Sequence, residues 1–319
     1  MAILTSYDLK GKKDSFANWI SNLSPTDTFF VSTTKKEAVQ NTLFQWQTDS
    51  LAAVNLANAQ VESSNAVAGK RTPTKIHTNV TQILRTAVEV SDTADEISSW
   101  GRGKELAYQM EKAGKEIKRD LEAILLSNQT KSDGTKGDIQ DNGADAAAAG
   151  TARKTACFQA LVATVADPDT GAMVTKTTAT AGKVVKETEL FDMTYQLYLA
   201  GSDADTIMFH PKHAAFFSSL METSAVRTKL IANMDTTLNK FVGSVVDPLG
   251  QQFTLVPNRF MPEDAIYFFK PSNWTQMVLR APERVKLAKK GSSERYMVEM
   301  ELGLRHTNPY ASAVLKIQA

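Results

Sequence analysis

Two histidines are the residues of this chain whose types and spacing could most directly do chemistry. His210 and His213 flank Pro211 and Lys212 at a predicted helix start, and two imidazoles at this spacing can share a zinc ion. No third ligand is evident in the sequence. A proline at the first helical position after a turn residue also explains both histidines structurally. We therefore predict no metal site, and we keep a soluble metal-dependent enzyme using His210 and His213 as an alternative.

The other motifs that resemble catalytic or binding sites have plain structural explanations. Gly101 and Gly103 lie within a helical pattern and not after a strand, so they do not form a phosphate cradle. Asp203 and Asp205 lack the ligand spacing of a calcium loop. Cys157 is the single cysteine, and no nucleophile elbow or P-loop is present. The sequence therefore predicts a protein that is not an enzyme and holds no cofactor.

Composition restricts the partners of the chain. Its 319 residues carry a formal net charge of +1, so no overall charge draws it to nucleic acid or to a membrane surface. Its two small basic clusters, at 10–13 and 286–290, lack a recognisable nucleic-acid module. No apolar run approaches the roughly 18 residues of a membrane span, and the N-terminus lacks a signal-peptide layout. We expect a protein that is made and kept in the cytosol.

The elements around these residues indicate an extended protein. From Ile76 to Leu84 apolar and polar residues alternate, which is typical of a strand. Thr93 and Glu96 then form a capping-box pattern, and apolar positions at helical spacing follow. The pattern predicts one continuous helix from Ser91 to Asn128, about 35 residues and roughly 50 Å long.

A long excursion precedes this strand and helix. Thr42–Asp49 alternates as a strand with Phe44 and Trp46 on one face, and the returning strand begins near Ile76. The intervening segment of roughly thirty residues is polar and rich in alanine, which is too long for a passive hairpin loop. We expect it to embrace a neighbouring subunit.

Four blocks of sequence carry a family resemblance. In this order and at sensible spacing, they resemble the major capsid proteins of tailed bacteriophages, and more narrowly the SU-ten-like major head protein family. The blocks are Phe44–Leu51, Thr78–Ser91, Glu105–Gln109 with Lys118–Glu122, and Leu287–Arg295 followed by Val298–Leu302 and Asn308–Ala311.

The resemblance implies an α+β chain with the Hong Kong 97-like capsid fold. That fold has an N-terminal arm, an extended loop, a long spine helix, a peripheral domain and an axial domain. The corresponding ranges are 1–41 for the arm, 42–90 for the extended loop, 91–149 for the peripheral domain with the spine helix, 150–271 for the axial domain and 272–319 for the returning peripheral strands.

The same resemblance implies a function and a set of partners. It implies self-assembly, through hexamers and pentamers, into an icosahedral shell that encloses double-stranded DNA in the virion, after assembly in the host cytoplasm. Portal and scaffolding proteins would be partners, with possible decoration proteins, and packaged DNA would be contacted weakly and nonspecifically. A cellular nanocompartment shell of the encapsulin type is the alternative that shares this fold.

Five residues on or beside the extended loop are predicted to contact a neighbouring subunit: Asn55, Lys70, Arg71, Lys75 and Arg85. Four of them are cations with few acids nearby in sequence, so we expect their partners to be carboxylates of that neighbour. Such exposed pairs each contribute roughly 0 to 1 kcal/mol, and their number would make assembly sensitive to salt.

Gly101 and Gly103 are predicted to act as a hinge in the spine helix. Each glycine costs about 1 kcal/mol relative to alanine inside a helix, so a function is expected for the pair. Paired glycines are a known place for helix kinks. We predict that they let the spine helix bend in a precursor shell.

Overall fold

The computed structural model describes residues 27–49, 51, 54–66, 69, 73–97, 103–135, 150–163, 175–178, 185–220 and 243–317, and these mix helices with strands as predicted. The helices are α1 Phe29–Thr33, α2 Asp92–Glu96, α3 Glu105–Leu125, α4 Phe158–Ala163, α5 Glu187–Leu199 and α6 Ala214–Leu220. The strands are β1 Lys35–Ala38, β2 Leu43–Thr48, β3 Lys75–Val80, β4 Gln82–Ser91, β5 Thr175–Thr178, β6 Thr206–Phe209, β7 Ser244–Val246, β8 Gln252–Pro257, β9 Ala265–Phe269, β10 Trp274–Lys286, β11 Ser293–His306 and β12 Ala313–Ile317. None of the described helices is long and apolar enough to cross a membrane.

The chain divides into two compact units. The described parts of 85–117 and 283–299 belong to one, and those of 27–84, 118–282 and 300–319 belong to the other. In the smaller unit, ion pairs join 85–92 to 289–299. Arg85 pairs with Glu299 at 2.6 Å, and Lys289 pairs with Asp92 at 2.8 Å.

A six-stranded sheet organises the larger unit, in the order β5-β12-β9-β6-β8-β7. Strand β9 is buried along its whole length, which explains its unbroken run of apolar residues. On one face, Ile266 and Phe268 pack in a core with Leu190 and Leu197 of α5. The alternate residues of the same strands therefore face a second core.

Aromatic rings fill that second core. Phe158 of α4 lies between Tyr267 and Trp274, with ring centroids 4.3 and 4.2 Å away. Phe30 of α1 meets Phe158 edge-on at 5.9 Å and Phe269 at 5.7 Å. Such pairs contribute about 0.5–1.5 kcal/mol each beyond the burial of their area, so this cluster holds α1 and α4 against the sheet.

A buried carboxylate fixes α1 to α3. Glu122 is fully buried, and its two oxygens accept hydrogen bonds from the backbone amides of Phe30 at 2.8 Å and Val31 at 2.7 Å. These amides lie in the first turn of α1, where no backbone acceptor is available. Asn258 donates a third hydrogen bond at 2.7 Å. Burial raises the pKa of Glu122, while these three donors and Lys118 act to lower it.

The prediction of one continuous helix from Ser91 to Asn128 is wrong. Helix α2 ends at Glu96, Ile97 has extended backbone angles, and α3 begins at Glu105. Asp95 explains the restart, because its carboxylate accepts the amide hydrogen of Leu106 in the first turn of α3. The 21 residues of α3 span roughly 32 Å, and the predicted one-sided pattern is confirmed at Ala113, Ile117 and Leu121, all buried.

Two strands pair in sheets other than those that the predicted domain ranges imply. Strand β12, expected among the peripheral strands, pairs antiparallel with β9 within the predicted axial range. Strand β4, expected in the extended loop, belongs to a separate sheet in the order β1-β10-β11-β4. Both differences come from pairings between segments far apart in sequence, which local patterns do not specify.

We expect Glu122→Gln to lower the free energy of unfolding by about 1–3 kcal/mol, because the glutamine NH₂ group would replace one of the two acceptors. Urea unfolding of the full-length protein followed by circular dichroism measures this loss. Glu111→Gln, on the exposed side of the same helix, is the matched control and should leave stability unchanged. Equal stability of the two variants would show that the buried carboxylate does not anchor α1.

We also expect stability to fall as the pH drops below about 6.5. His306 is buried, its ring stacks on Trp274 at 4.1 Å, and desolvation, followed by the charge of His77, lowers its pKa to about 3. The unfolded chain therefore binds a proton between pH 6.5 and 3 that the folded chain excludes. The contribution of neutral His306 to the free energy of unfolding is complete above pH 6.5 and falls by about 2 kcal/mol by pH 5. Urea unfolding at pH 7.5 and 5 should show this loss, and a His306→Gln variant with the same loss would contradict it.

Candidate functional site: an exposed hairpin on a buried root

The extended loop begins as a regular hairpin. Strands β2 and β3 pair antiparallel from Leu43 opposite Val80 to Thr48 opposite Lys75, which confirms the predicted outgoing and returning strands. Trp46 stacks between Phe44 at 6.1 Å and His77 at 5.6 Å. His77 also hydrogen-bonds Thr48 at 2.9 Å, and burial followed by the nearby charge of Lys75 lowers the pKa of its imidazole.

One end of the hairpin packs on β11. We call this end, formed by Phe44 and by Asn79 to Thr81, the root. The ring of Phe44 and the carbonyl oxygen of Val80 lie directly over Gly303. A Cβ placed on Gly303 would meet the Phe44 ring at 2.6 Å and the Val80 oxygen at 2.8 Å. Glycine is therefore required here for close approach of two backbones, a known reason for glycine inside a strand.

Asn79 supplies the hydrogen bonds of the root. Its side chain is fully buried, and its Nδ2 donates to the carbonyls of Leu304 at 2.7 Å and Ala156 at 3.0 Å and to the hydroxyl of Thr155 at 3.0 Å. Its Oδ1 accepts the amide hydrogens of Val80 and Ala156. One amide thus joins the hairpin to the 155–156 segment and to β11.

Thr81, at the end of the root, contacts an ionic cluster around the buried carboxylate of Glu301. Its hydroxyl donates to Glu301 at 2.7 Å, and Glu301 also pairs with Arg153 at 2.6 Å and Arg280 at 3.2 Å. Glu301 is almost fully buried while both arginines are partly exposed. Its carboxylate is therefore compensated by two cations and a hydroxyl, as a buried charge requires.

The far end of the loop, which we call the tip, has the opposite character. In the described residues 51 and 54–66, the large apolar side chains Leu51, Val54, Leu56 and Val61 are each at least 80% exposed. Asn55 makes a local turn, in which its side-chain oxygen accepts the amide hydrogen of Ala57 at 3.0 Å. The tip thus offers apolar area that its own chain does not cover.

Two of the four predicted interface cations, Lys75 and Arg85, lie in the described residues. Lys75 is exposed at the first position of β3. Arg85 lies outside the hairpin, on β4, and binds Glu299 of the same chain, so one carboxylate partner of Arg85 is internal. Its contact with a neighbouring subunit stays a prediction. Lys70 and Arg71 lie outside the described residues. Of the four predicted cations, Lys75 is therefore the one that lies in the described part of the hairpin.

The predicted hinge glycines do not both lie where expected. Gly103 precedes α3 and is not inside a helix, so the premise that it destabilises a helix interior is wrong. A Cβ at Gly103 would meet no atom within 4 Å. Gly101 lies outside the described residues. A hinge at the connection from Ile97 to Glu105 stays a prediction.

The two histidines of the alternative prediction have structural partners. His210 caps the helix that follows it, where its Nδ1 accepts the amide hydrogen of Lys212 at 3.2 Å. His213 is buried and hydrogen-bonds the carbonyl of Glu263 at 2.8 Å. Among the described residues no three His, Cys, Asp or Glu side chains are grouped to hold a metal ion. The geometry thus supports the structural explanation of both histidines.

Sequence reasoning missed Asn79 and Gly303. Each carries a signal in hindsight, since asparagine and glycine are both depleted in strands. Here they occur in runs that otherwise alternate as strands. A strand residue of low propensity is a sign of a special backbone contact.

Comparisons with known proteins agree over the whole chain. The profile of the SU10 major capsid protein family matches residues 3–318. The major capsid protein of Escherichia phage Phieco32 is 51% identical over 339 aligned positions, covering 98% of this chain and 96% of that protein. The capsid of a native GTA particle superposes with a TM-score of 0.63 at 14% identity, covering 98% of each chain. An encapsulin complex from Synechococcus elongatus gives 0.55 at 10% identity, covering 96% and 92%.

We expect Gly303→Ala to destabilise the root, because the new methyl group would overlap the Phe44 ring and the Val80 carbonyl. The ring can shift but the carbonyl can move only with the backbone, so a cost of about 1–3 kcal/mol is expected. Gly114→Ala on the exposed side of α3 is the matched control, and it should stabilise the protein by up to about 1 kcal/mol. Urea unfolding measures both changes, and effects of the same sign would contradict the assignment of the root.

Proposed function

The chain belongs to the SU10 major capsid protein family, and we propose that its extended hairpin is the element by which one subunit binds the next in the shell. The protein is a structural component of a phage virion whose copies associate into the capsid. The predicted Hong Kong 97-like fold is confirmed by its likeness to phage and GTA capsids. The proposal concerns which residues make the contact.

The contrast between root and tip carries this proposal. The root is fixed by Asn79 and Gly303 and by the ionic cluster of Glu301, while the four large apolar side chains of the tip face solvent. Fully burying one such side chain contributes roughly 1.5–3 kcal/mol, so a neighbour that covers the tip gains affinity without further ordering of the root.

Small contacts of this kind suit a closed shell. Each subunit carries one hairpin and receives one, so the contact is repeated through the particle and its effect accumulates. We propose hexamers and pentamers as the units. A contact made by one arm tolerates the slightly different angles between neighbours in the two rings better than a flat rigid interface would.

Portal and scaffolding proteins, with decoration proteins as a further class, are proposed as the other partners, and the host cytoplasm as the place of assembly. We propose that packaged DNA is contacted weakly and nonspecifically. The net charge of +1 supports this, because strong phosphate binding needs an excess of clustered lysine and arginine.

The cellular nanocompartment alternative shares the fold but has less support. The encapsulin likeness is at 10% identity and bears on the fold alone. The relative at 51% identity is a phage major capsid protein. The alternative of a metal-dependent enzyme loses its basis because both histidines have structural partners.

Deleting Asn55–Gly69 should leave a folded subunit and abolish closed shells, because the deletion removes most of the tip and leaves the root intact. Electron microscopy of the purified protein counts closed particles, and circular dichroism checks the fold. A second variant with serine at Leu51, Val54, Leu56 and Val61 keeps the loop length and should reduce closed particles in the same way. Normal particle yields from both variants would refute the assignment of the tip.

A further inference from the structure

His77 is a titratable side chain on the attached face of the extended hairpin. Residues directly opposite each other in an antiparallel pair share one face, as do alternate residues of one strand. His77 opposite Trp46 therefore lies on the same side as Asn79 opposite Phe44. Phe44 covers Gly303 of β11, and the side chain of Asn79 donates a hydrogen bond to the same strand. The face that carries His77 is thus the one turned toward β11 at the root.

The surroundings of His77 suit a neutral imidazole better than a charged one. Its ring is half-buried, stacks on Trp46 at 5.6 Å and shares a hydrogen bond of 2.9 Å with Thr48. Lys75 lies two residues earlier, on the same face of β3. In the described part of the chain no carboxylate pairs with His77, and Asp49 follows Thr48 just beyond the end of β2. A charge on His77 would therefore be half-buried beside a second cation and without an anion, which is costly.

His306 of β11 is a second imidazole that faces this position. Its ring is buried against Trp274, and its Nε2 shares a hydrogen bond of 2.9 Å with Ser312. After desolvation, the charge of His77 is the second cause that lowers the pKa of His306, so the two imidazoles interact across the attachment. Burial, followed by the charge of Lys75, lowers the pKa of His77 itself. Both directions agree with the lack of a compensating anion in the geometry.

We propose that His77 makes the attachment of the hairpin sensitive to acid, so that protonation of its ring releases β2 and β3 from β11 while the rest of the larger unit stays folded. Release exposes the imidazole to water, where it binds a proton with its ordinary affinity, so acid favours the released form. The pKa of His77 in the attached hairpin is below 6.5, so the stabilisation is complete above pH 6.5 and is lost as the pH falls toward the lower value. The inference rests on the proposed function, because it gives the contact made by the hairpin a dependence on pH.

Hydrogen exchange of the unassembled full-length protein at pH 7.5 and 5.5 tests the release. A free two-stranded hairpin is marginally stable, so its amides exchange once it leaves the body. The amide of Ala156, which donates its hydrogen to the side chain of Asn79, reports the same event from the body. Corrected for the intrinsic exchange rate, the protection factors of β2, β3 and Ala156 should fall by up to about tenfold at pH 5.5. One group with an ordinary pKa of 6.5 shifts an equilibrium by at most about tenfold per pH unit below that value.

Three variants identify His77 as the cause. His77→Gln stays neutral at both pH values and should lose no protection in acid, while the matched control His210→Gln, outside the hairpin, should behave as the wild type. Lys75→Glu places a carboxylate beside the protonated ring, so acid should preserve or raise the protection of β2 and β3. Amides of β9 report the body and should change equally in His77→Gln, His210→Gln and the wild type. If His77→Gln releases the hairpin at both pH values, His77→Phe replaces it, since it keeps a ring on Trp46 without a titratable nitrogen.

Two results would overturn the proposal. One is an equal loss of hairpin protection in acid in the wild type and in the variants that lack the imidazole of His77. The other is a wild-type hairpin whose protection does not fall at pH 5.5, as expected if stacking on Trp46 stabilised the charged ring sufficiently. The Asn55–Gly69 deletion separates this inference from the proposed function, because normal shells from that deletion refute the role of the tip whatever the exchange data show. Unchanged protection in acid refutes the inference alone.

Discussion

The side-chain amide of Asn79 is the interaction on which the extended hairpin depends. A two-stranded hairpin has little core of its own and is marginally stable in isolation. Here one buried amide makes five hydrogen bonds, and four of them tie the base of the hairpin to two other segments of the chain. Because an unsatisfied buried polar group costs more than a made hydrogen bond gains, the arrangement is selective as well as stabilising. The observed placement of the hairpin satisfies these groups, and a displaced hairpin would leave some of them unpaired.

The larger unit supplies the rigid body to which the hairpin is attached. Its sheet is covered on both faces, by the α5 core on one and by the rings around Phe158 on the other. Glu122 then fixes α1 to α3 through hydrogen bonds that only an ordered first turn can offer. Close-packed protein interiors have low compressibility and transmit strain. A stiff body and an exposed arm are thus separate parts of one chain.

Local sequence patterns predicted the positions of helices and strands well. They predicted poorly which distant segments these helices and strands contact. The alternation in β2 and β3 and the apolar stripe of α3 can be read from neighbouring residues, and both are confirmed. The interruption of the helix after Glu96 could not be read in this way, because it depends on Asp95 capping a helix that starts nine residues after Glu96. The internal partner of Arg85 and the placement of β12 beside β9 likewise depend on residues distant in sequence. The root was missed for the same reason, since the roles of Asn79 and Gly303 exist only once the strands have come together.

The exposed tip of the hairpin also bears on how such a protein evolves. Every copy in a shell comes from one gene, so a single codon change in the tip alters all copies of that contact simultaneously. The described residues of the tip contribute no buried apolar side chains to their own subunit, so we expect most substitutions among them to leave folding intact and to be selected through assembly. The receiving surface is encoded in the same reading frame, and a compensating change is inherited together with the first. We expect lineages of this family to diverge fastest at the tip while the buried amide beneath it stays the same.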